Sequence, residues 1–236
     1  MSSDNIEYQS KERLEQLAFQ FRKRFGIDEN EKVLPIEKIV DVHLSKDIVP
    51  LPNLYQTIQS SGMVSSDCTT VWIDERCFED NFEEKYRFTL AHEIAHLELH
   101  QNIYQNLIFE SCTEYKENIG QLLSDVEYRM MEWQADFFAG SLLVSPKPLE
   151  KEFKTCFQKI CDMLSEFQAK EIPQQTIFEL ILSELCEDLA PTFFVSPVTI
   201  DARLYHRDMK KELARELFGD NHEVQLEVQY RDLPNR

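Results

Sequence analysis

Apolar residues recur every three or four positions through most of this chain, which is the spacing of amphipathic helices. The first such run extends from Leu14 to Phe25, and a second helical segment begins near Pro35. After Pro146 the same spacing returns over residues 153–167 and 177–189, with a proline between the two runs. The chain is therefore predicted to be mostly helical, with prolines at several helix boundaries.

One shorter stretch of the chain favours strands instead. Residues 54–74 contain two segments of strand-forming residues on either side of a Gly-Ser-Asp cluster. They predict a small antiparallel sheet whose last strand is Thr70 to Asp74. Near the end of the chain, residues 223–230 alternate between polar and apolar side chains, which is typical of an edge strand. The predicted fold class is α+β, dominated by helices.

Two further helices carry unusual polar residues, and each opens with a capping box, in which an N-terminal Ser or Asp is followed three residues later by Glu. The first capping box is Asp80 with Glu83, and no Gly or Pro interrupts the helical pattern from there to His100. The second is Ser124 with Glu127, and a strongly apolar helical pattern follows it.

Composition limits the functions that this chain can have. Its formal net charge is -18, from 43 acidic and 25 basic residues. So acidic a chain repels polyanions, which disfavours a general affinity for nucleic acid. The six cysteines include no CxxC pair, which argues against a disulfide framework and against a thiolate zinc site. No apolar run approaches the roughly 18 residues of a membrane span, and the N-terminus has no apolar signal core, so a cytoplasmic location is expected.

His92, Glu93 and His96 form an HExxH motif well inside the first capped helix. Residues four apart lie on one face of a helix with Cβ atoms about 6 Å apart, so two imidazoles can bind one metal ion. The glutamate between them then lies beside a water bound to that ion, where it can act as a general base. This arrangement is typical of zinc hydrolases. The alternative without chemistry is a pair of surface histidines beside a solvated glutamate.

A zinc hydrolase needs a third protein ligand and an open position for water. His100 is near in sequence, but eight residues along a helix place it about 12 Å from His92. It is therefore expected to be a helix-end residue favoured by the helix dipole. Glu132 and Asp136 are better candidates, because they share one face of the second, very apolar helix. One would bind the metal and the other would accept a hydrogen bond from a ligand histidine, unless both simply face solvent.

The sequence resembles the ImmA/IrrE-type metallopeptidases in three places. Residues 88–100 read FTLAHEIAHLELH, residues 132–146 read EWQADFFAGSLLVSP and residues 193–204 read FFVSPVTIDARL. The first two are similar to the family's FTLAHExxHxxLH and ExxAnxFAxxLLxP segments, and the third is similar to its FxVSxxAxxxRL element.

This resemblance implies one zinc ion per chain, bound by His92, His96 and Glu132, with Glu93 as the general base. Asp136 stands where the family often has Asn or Asp, so it is expected to accept a hydrogen bond from a ligand histidine.

The fold implied by the resemblance is a zincin-like metallopeptidase domain over residues 1–148, followed by a helical C-terminal region over 149–236. Ser196 and Pro197 suit the cap and the first position of a helix, and the residues after them resemble a helix-turn-helix. Acidic and basic side chains are mixed there, so packing or partner docking is favoured over DNA binding. The interval from His96 to Glu132 is longer than the family usually has, and residues 101–123 within it predict a loop with a short helix.

The resemblance implies a zinc-dependent endopeptidase that cleaves a specific protein partner, typically a DNA-binding helix-turn-helix repressor. Neither a membrane nor nucleic acid is an expected partner. One alternative is a regulator that binds its partner without cutting it, and another is a zinc hydrolase for a small amide or peptide. A substrate peptide is expected to add as a strand beside Thr70–Asp74. The residue that stabilises the oxyanion stays open among Tyr86, Tyr104, Tyr115, Tyr128 and His206.

Overall fold

The described part of the chain comprises residues 6–79, 82–168, 172–220 and 224–226 of a computed structural model. The chain divides into two compact units, one formed by Met1–Asp28 with Leu34–Leu143 and the other by Glu29–Val33 with Val144–Arg236. The domain boundary expected between residues 148 and 149 stays a prediction. Within the described ranges, no helix combines the length and the apolar composition that crossing a membrane requires.

The first unit contains a small sheet and a set of helices. Its helices are α1 (Lys11–Arg24), α2 (Ile36–Lys38, continued by a π-helical turn over Ile39–His43), α3 (Leu54–Ile58), α4 (Glu83–Leu99), α5 (Gln101–Gln105), α6 (Cys112–Leu122) and α7 (Asp125–Leu143). Its strands are β1 (Asp47–Leu51), β2 (Gly62–Val64) and β3 (Thr70–Asp74), and a 3-10 turn follows at Glu75–Phe78. The predicted mostly helical α+β class is confirmed.

The antiparallel pairing predicted within residues 54–74 is present between β2 and β3, but the sheet as a whole is mixed because β1 joins it in parallel. Its strand order is β1-β3-β2, with β2 antiparallel to β3 and β1 parallel to it. A parallel pair needs a crossover connection, which α3 and β2 provide between β1 and β3. Because β3 has a partner on each side, a peptide cannot add beside Thr70–Asp74 as expected, and β2 is instead the edge strand that packs on α4.

Residues 54–58 form the short helix α3, although their composition favours a strand. Leu54 and Ile58 lie one helical turn apart, and both are buried. Asn53 and Gln59 adopt left-handed backbone conformations, with φ of 58° and 63°, at the two ends of the helix. Burial of one helical face therefore decides the local structure here, because strand propensity mostly reflects how well side chains pack.

Helix α1 is amphipathic, as predicted, and it holds α7 in place. Leu14, Ala18 and Phe21 are buried along one face. The buried Arg22 donates a hydrogen bond from Nη1 to the carbonyl of Leu142, at 2.8 Å. This carbonyl is one of the backbone groups that the C-terminus of α7 leaves without an intrahelical partner.

Helix α4 is buried on nearly all sides by α7, the sheet and α2. Its apolar residues Leu90 and Ile94 are fully buried, and Glu93 and His96 are each only 2 % exposed. Buried polar side chains require hydrogen-bonding or metal partners, so this helix points to a functional site. The capping residue predicted for it, Asp80, lies outside the described residues.

The second unit contains the four C-terminal helices of the described chain. They are α8 (Pro146–Gln168), α9 (Gln174–Phe193), α10 (Pro197–His206) and α11 (Met209–Phe218). Ser196 caps α10 by accepting a hydrogen bond from the backbone N–H of Thr199, as predicted. Helices α10 and α11 follow each other closely, as the helix-turn-helix resemblance implies. Of the strand predicted over 223–230 only residues 224–226 are described, and they lie in neither helix nor strand.

Basic side chains of α10 and α11 are engaged within the second unit. Lys210 is 4 % exposed, and its Nζ lies 2.6 Å from a carboxylate oxygen of Asp201. Arg203 is 1 % exposed and donates to a backbone carbonyl. Arg207 forms an ion pair with Glu150. These three basic groups are therefore turned toward the protein, and contact with phosphate groups would require them to leave their partners.

The capping box predicted at the start of α7 is confirmed, and it should contribute measurably to stability. The Ser124 N–H donates to Glu127 Oε2 at 2.9 Å, and the Glu127 N–H donates to Ser124 Oγ at 3.4 Å. We expect Ser124→Ala to lower the free energy of unfolding by about 1 kcal/mol, measured by urea denaturation. Ser124→Asp, which keeps an acceptor at the cap, is the control. Equal losses in the two variants would contradict a capping role.

Candidate active site

Helix α4 places His92 and His96 side by side. Their ring centroids are 4.7 Å apart and their Nε2 atoms are 3.0 Å apart. The side chain of His92 is 14 % exposed and that of His96 is 2 % exposed. The two Nε2 atoms therefore lie close together, with His92 partly open to solvent and His96 enclosed by protein.

Helix α7 adds Glu132 to this pair. Its Oε2 lies 3.3 Å from Nε2 of His92, and its Oε1 lies 3.6 Å from Nε2 of His96. One ligand atom from each residue lies within 4.8 Å of the others. A tetrahedral zinc ion with bonds of about 2.0–2.1 Å separates its ligand atoms by roughly 3.3 Å, so these side chains fit a zinc ion with little movement. Three protein ligands leave one position for water or substrate.

Asp136 lies one helical turn beyond Glu132 and contacts the other nitrogen of His92. Its Oδ1 is 2.9 Å from His92 Nδ1. Burial by itself lowers the pKa of His92, but the hydrogen bonds to Asp136 and Glu132 outweigh burial and raise that pKa well above its ordinary value. With Nδ1 donating to Asp136, Nε2 of His92 is the atom that can bind a metal, which replaces the proton on it. The structure thus places Asp136 where a residue that orients a ligand histidine is expected.

His100 corrects the expectation of a charged helix-end residue. It is the C-cap residue of α4, but it is 2 % exposed. Its Nδ1 is 3.1 Å from Nδ1 of His96, and its Nε2 is 3.0 Å from Oε1 of Gln134. Burial lowers the pKa of His100 to about 4, so its imidazole is neutral and gains little from the helix dipole. The pKa of His96 is also lowered, first by burial and then by the charge of His92.

Glu93 is enclosed between α4 and strand β2. It is 2 % exposed, and burial raises its pKa to about 8. Gly62 of β2 lies directly against it, since a Cβ atom on Gly62 would stand 2.5 Å from Glu93 Oε1 and 2.7 Å from a methyl carbon of Thr89. Only a residue without a side chain lets the strand approach the glutamate so closely.

Three tyrosines surround the two carboxylates of the site. Tyr104 and Tyr115 come from α5 and α6, are buried, and have hydroxyl oxygens 3.3 Å apart. Tyr128 lies one turn before Glu132 on α7, near enough that, besides burial, the charge of Glu132 raises the pKa of its hydroxyl, and it is 37 % exposed. Burial is the largest cause that raises the pKa of all three hydroxyls, so they are neutral donors at pH 7. Residues 101–123 therefore contribute two helices and part of the site, where a loop with one short helix is expected.

Two other residues were considered for the oxyanion. Tyr86 donates a hydrogen bond to Glu37 at 3.2 Å. His206 belongs to α10 in the second unit.

One sequence signal that places His100 in the site and selects among the candidate tyrosines is a spacing of four that continues past the end of α4. His92, His96, His100 and Tyr104 follow one another at this interval, and the rings of His96 and Tyr104 are 5.4 Å apart. On α7 the same interval joins Tyr128 to Glu132. Residues four apart share a helix face, so both runs point toward the site.

Comparison with known proteins identifies one family. The family model Peptidase_M78, described as the IrrE N-terminal-like domain, matches residues 79–205, which is more than half of the chain. Those residues include both helices of the site. No curated protein and no solved structure matches the chain.

The close approach of Gly62 to Glu93 predicts a specific steric effect. We expect Gly62→Ala to lower the free energy of unfolding by about 1–3 kcal/mol, because its Cβ must displace Glu93 or Thr89. Urea denaturation measures this change. Gly120→Ala on α6 is the matched control, since nothing lies within 4 Å of the added Cβ. That variant should be about 0.5–1 kcal/mol more stable, and a similar gain in Gly62→Ala would contradict the packing of β2 on Glu93.

Proposed function

The chain belongs to the IrrE N-terminal-like peptidase family, and from that premise we propose that it is a zinc-dependent endopeptidase that cleaves one specific protein partner. The family supports a function of the metallopeptidase type. The observation that carries the proposal is the convergence of His92, His96 and Glu132 within 4.8 Å, with the buried Glu93 beside them. A structural role alone gives no reason for two imidazoles and a carboxylate to meet in this geometry.

In the proposed mechanism, a zinc ion held by His92, His96 and Glu132 would act as a Lewis acid that polarises a peptide carbonyl and lowers the pKa of water. Glu93 takes a proton from the attacking water and passes it to the leaving amine nitrogen. Burial raises the pKa of Glu93 and so makes it a stronger base, while the positive charge of a zinc ion beside it would favour the carboxylate that accepts the proton. Asp136 keeps the His92 ring oriented through Nδ1.

The proposed substrate path follows the free edge of β2. The backbone N–H of Ser65 donates to Thr70, and Ser61 accepts from Asp74. By the alternation of an antiparallel ladder, Gly62 and Val64 then direct their backbone groups away from β3. The Ser60 hydroxyl donates to the Gly62 carbonyl at 2.8 Å and accepts from the Gly62 N–H at 3.4 Å. An extended peptide that pairs with this edge takes the place of Ser60 at Gly62 and then lies beside Glu93.

Charge and chemistry support a protein partner of a particular kind. The family that the chain resembles suggests a DNA-binding helix-turn-helix repressor as the substrate. Such a protein presents basic residues for phosphate contacts, and these complement a chain with a net charge of -18. Basic residues of α10 and α11 already have partners within the second unit, which supports a protein over nucleic acid as the partner.

Removing the general base tests whether the protein cuts its partner. We expect Glu93→Gln to lower the cleavage rate by at least about 10²-fold, because the proton transfer is lost, while zinc content by elemental analysis stays near one ion per chain. Glu132→Ala is the matched variant that should lose the zinc as well. The substrate is sought by incubating each protein with an extract of the source cells and labelling newly formed amino termini.

The number of new termini separates the alternatives. A small set of cleavage sites, present with the unaltered chain and absent with Glu93→Gln, supports a specific endopeptidase. Many unrelated sites indicate a general hydrolase. No site at all, together with the capture of one partner by both proteins, indicates a regulator that binds without cutting.

Tyr128 is the candidate for stabilising the oxyanion. Its hydroxyl is a neutral donor beside Glu132, and its exposure lets it reach a bound substrate, unlike Tyr104 and Tyr115. We expect Tyr128→Phe to lower kcat about 10²-fold with little change in KM or zinc content, since the lost hydrogen bond forms in the transition state. Tyr86→Phe, which removes a hydroxyl bonded to Glu37, is the control and should keep its kcat. An unchanged kcat in Tyr128→Phe would rule out this role.

A further inference from the structure

A buried chain of hydrogen bonds runs from His96 away from the proposed metal position. Nδ1 of His96 contacts Nδ1 of His100 at 3.1 Å, and Nε2 of His100 contacts Oε1 of Gln134 at 3.0 Å. Nε2 of Gln134 donates to the backbone carbonyl of Glu7 at 2.8 Å. His96 and His100 are each 2 % exposed and Gln134 is 1 % exposed, so the chain of bonds is shielded from water.

When both imidazoles are neutral, only one arrangement of protons satisfies every hydrogen bond in this series. The carbonyl of Glu7 can only accept, so Gln134 turns its NH2 group to it and its oxygen to His100. That oxygen accepts, so a neutral His100 carries its proton on Nε2 and its Nδ1 is an acceptor. His96 must then donate from Nδ1. Its Nε2 then carries a lone pair, and Nε2 is the atom that faces Nε2 of His92 and the carboxylate of Glu132.

We propose that His100 and Gln134 are positioning residues that hold His96 in the tautomer that binds a metal through Nε2. The backbone carbonyl of Glu7 determines the direction in which the hydrogen bonds of this series run. The proposal rests on the metal centre of the proposed function. His92 is held in the same tautomer by the carboxylate of Asp136, but the side chain of Asp136 is 60 % exposed, whereas His100 is buried. A carboxylate in the place of His100 would be buried at a large energetic cost, and a chain of neutral groups avoids that cost.

Two substitutions of similar size separate positioning from packing. The Asn Oδ1 atom lies at the same place along the side chain as the His Nδ1 atom, so His100→Asn keeps an acceptor for His96. His100→Leu removes it. We expect His100→Asn to bind zinc within a few-fold of the unaltered chain and His100→Leu to bind it about 10–100-fold more weakly, as measured by competition with a chelator.

Nitrogen NMR of the zinc-loaded protein, labelled in its imidazoles, gives a readout independent of catalysis. The Nδ1–H signal of His96 should be present in the unaltered chain and in His100→Asn. In His100→Leu it should be lost through exchange with water.

A second pair of variants tests the far end of the chain of bonds. Gln134→Leu removes the acceptor for His100 and should weaken zinc binding in the same way. Gln16→Leu on the exposed face of α1 is the matched control and should not change it.

The outcomes separate this proposal from the proposed function. Equal zinc affinity in His100→Asn and His100→Leu, or an unchanged affinity in Gln134→Leu, overturns the positioning role. If zinc binding follows the expected pattern while no protein is cleaved, the positioning role stands and the proposed peptidase function fails.

Discussion

The packing of α4 against α7 is the contact on which the rest of the structure depends. Two of the three proposed metal ligands come from α4 and the third from α7, so a small shift between the helices would separate them. Other elements of the first unit hold this pair together. Phe21 of α1 meets Phe138 of α7 at 6.1 Å between ring centroids, while Arg22 binds the carbonyl of Leu142. On the other side, β2 presses on α4 at Gly62.

The two proposed histidine ligands lie in different electrostatic surroundings. His92 has two carboxylates near it and some access to water, so its charge is stabilised. His96 also lies near Glu132, but burial and then the charge of His92 oppose a charge on its imidazole. Two imidazoles on one helix face thus differ because α7 supplies an acid to one and an amide, Gln134, to the other through His100.

Sequence periodicity predicted those features that depend on residues close together in the chain. The HExxH spacing indicated which side chains share a face of α4, and the Ser124–Glu127 capping box located the start of α7. Features that depend on distant residues were missed. The parallel pairing of β1 and the burial of His100 beside Gln134 follow from contacts between segments far apart in sequence. Propensity and spacing carry no information about such contacts, so neither the pairing of β1 nor the surroundings of His100 were predicted.

The unequal edges of the sheet have a consequence for self-association. The N–H of Asp47 donates to Thr69, so by alternation Pro50 directs its backbone nitrogen to the outer side of β1. Proline has no N–H there, and the outer edge of β1 is left with one donor fewer. A fibre that grows strand by strand needs a good edge on both sides of every molecule. This sheet has one such edge, at β2, so it is suited to bind a single added strand without growing into a fibre.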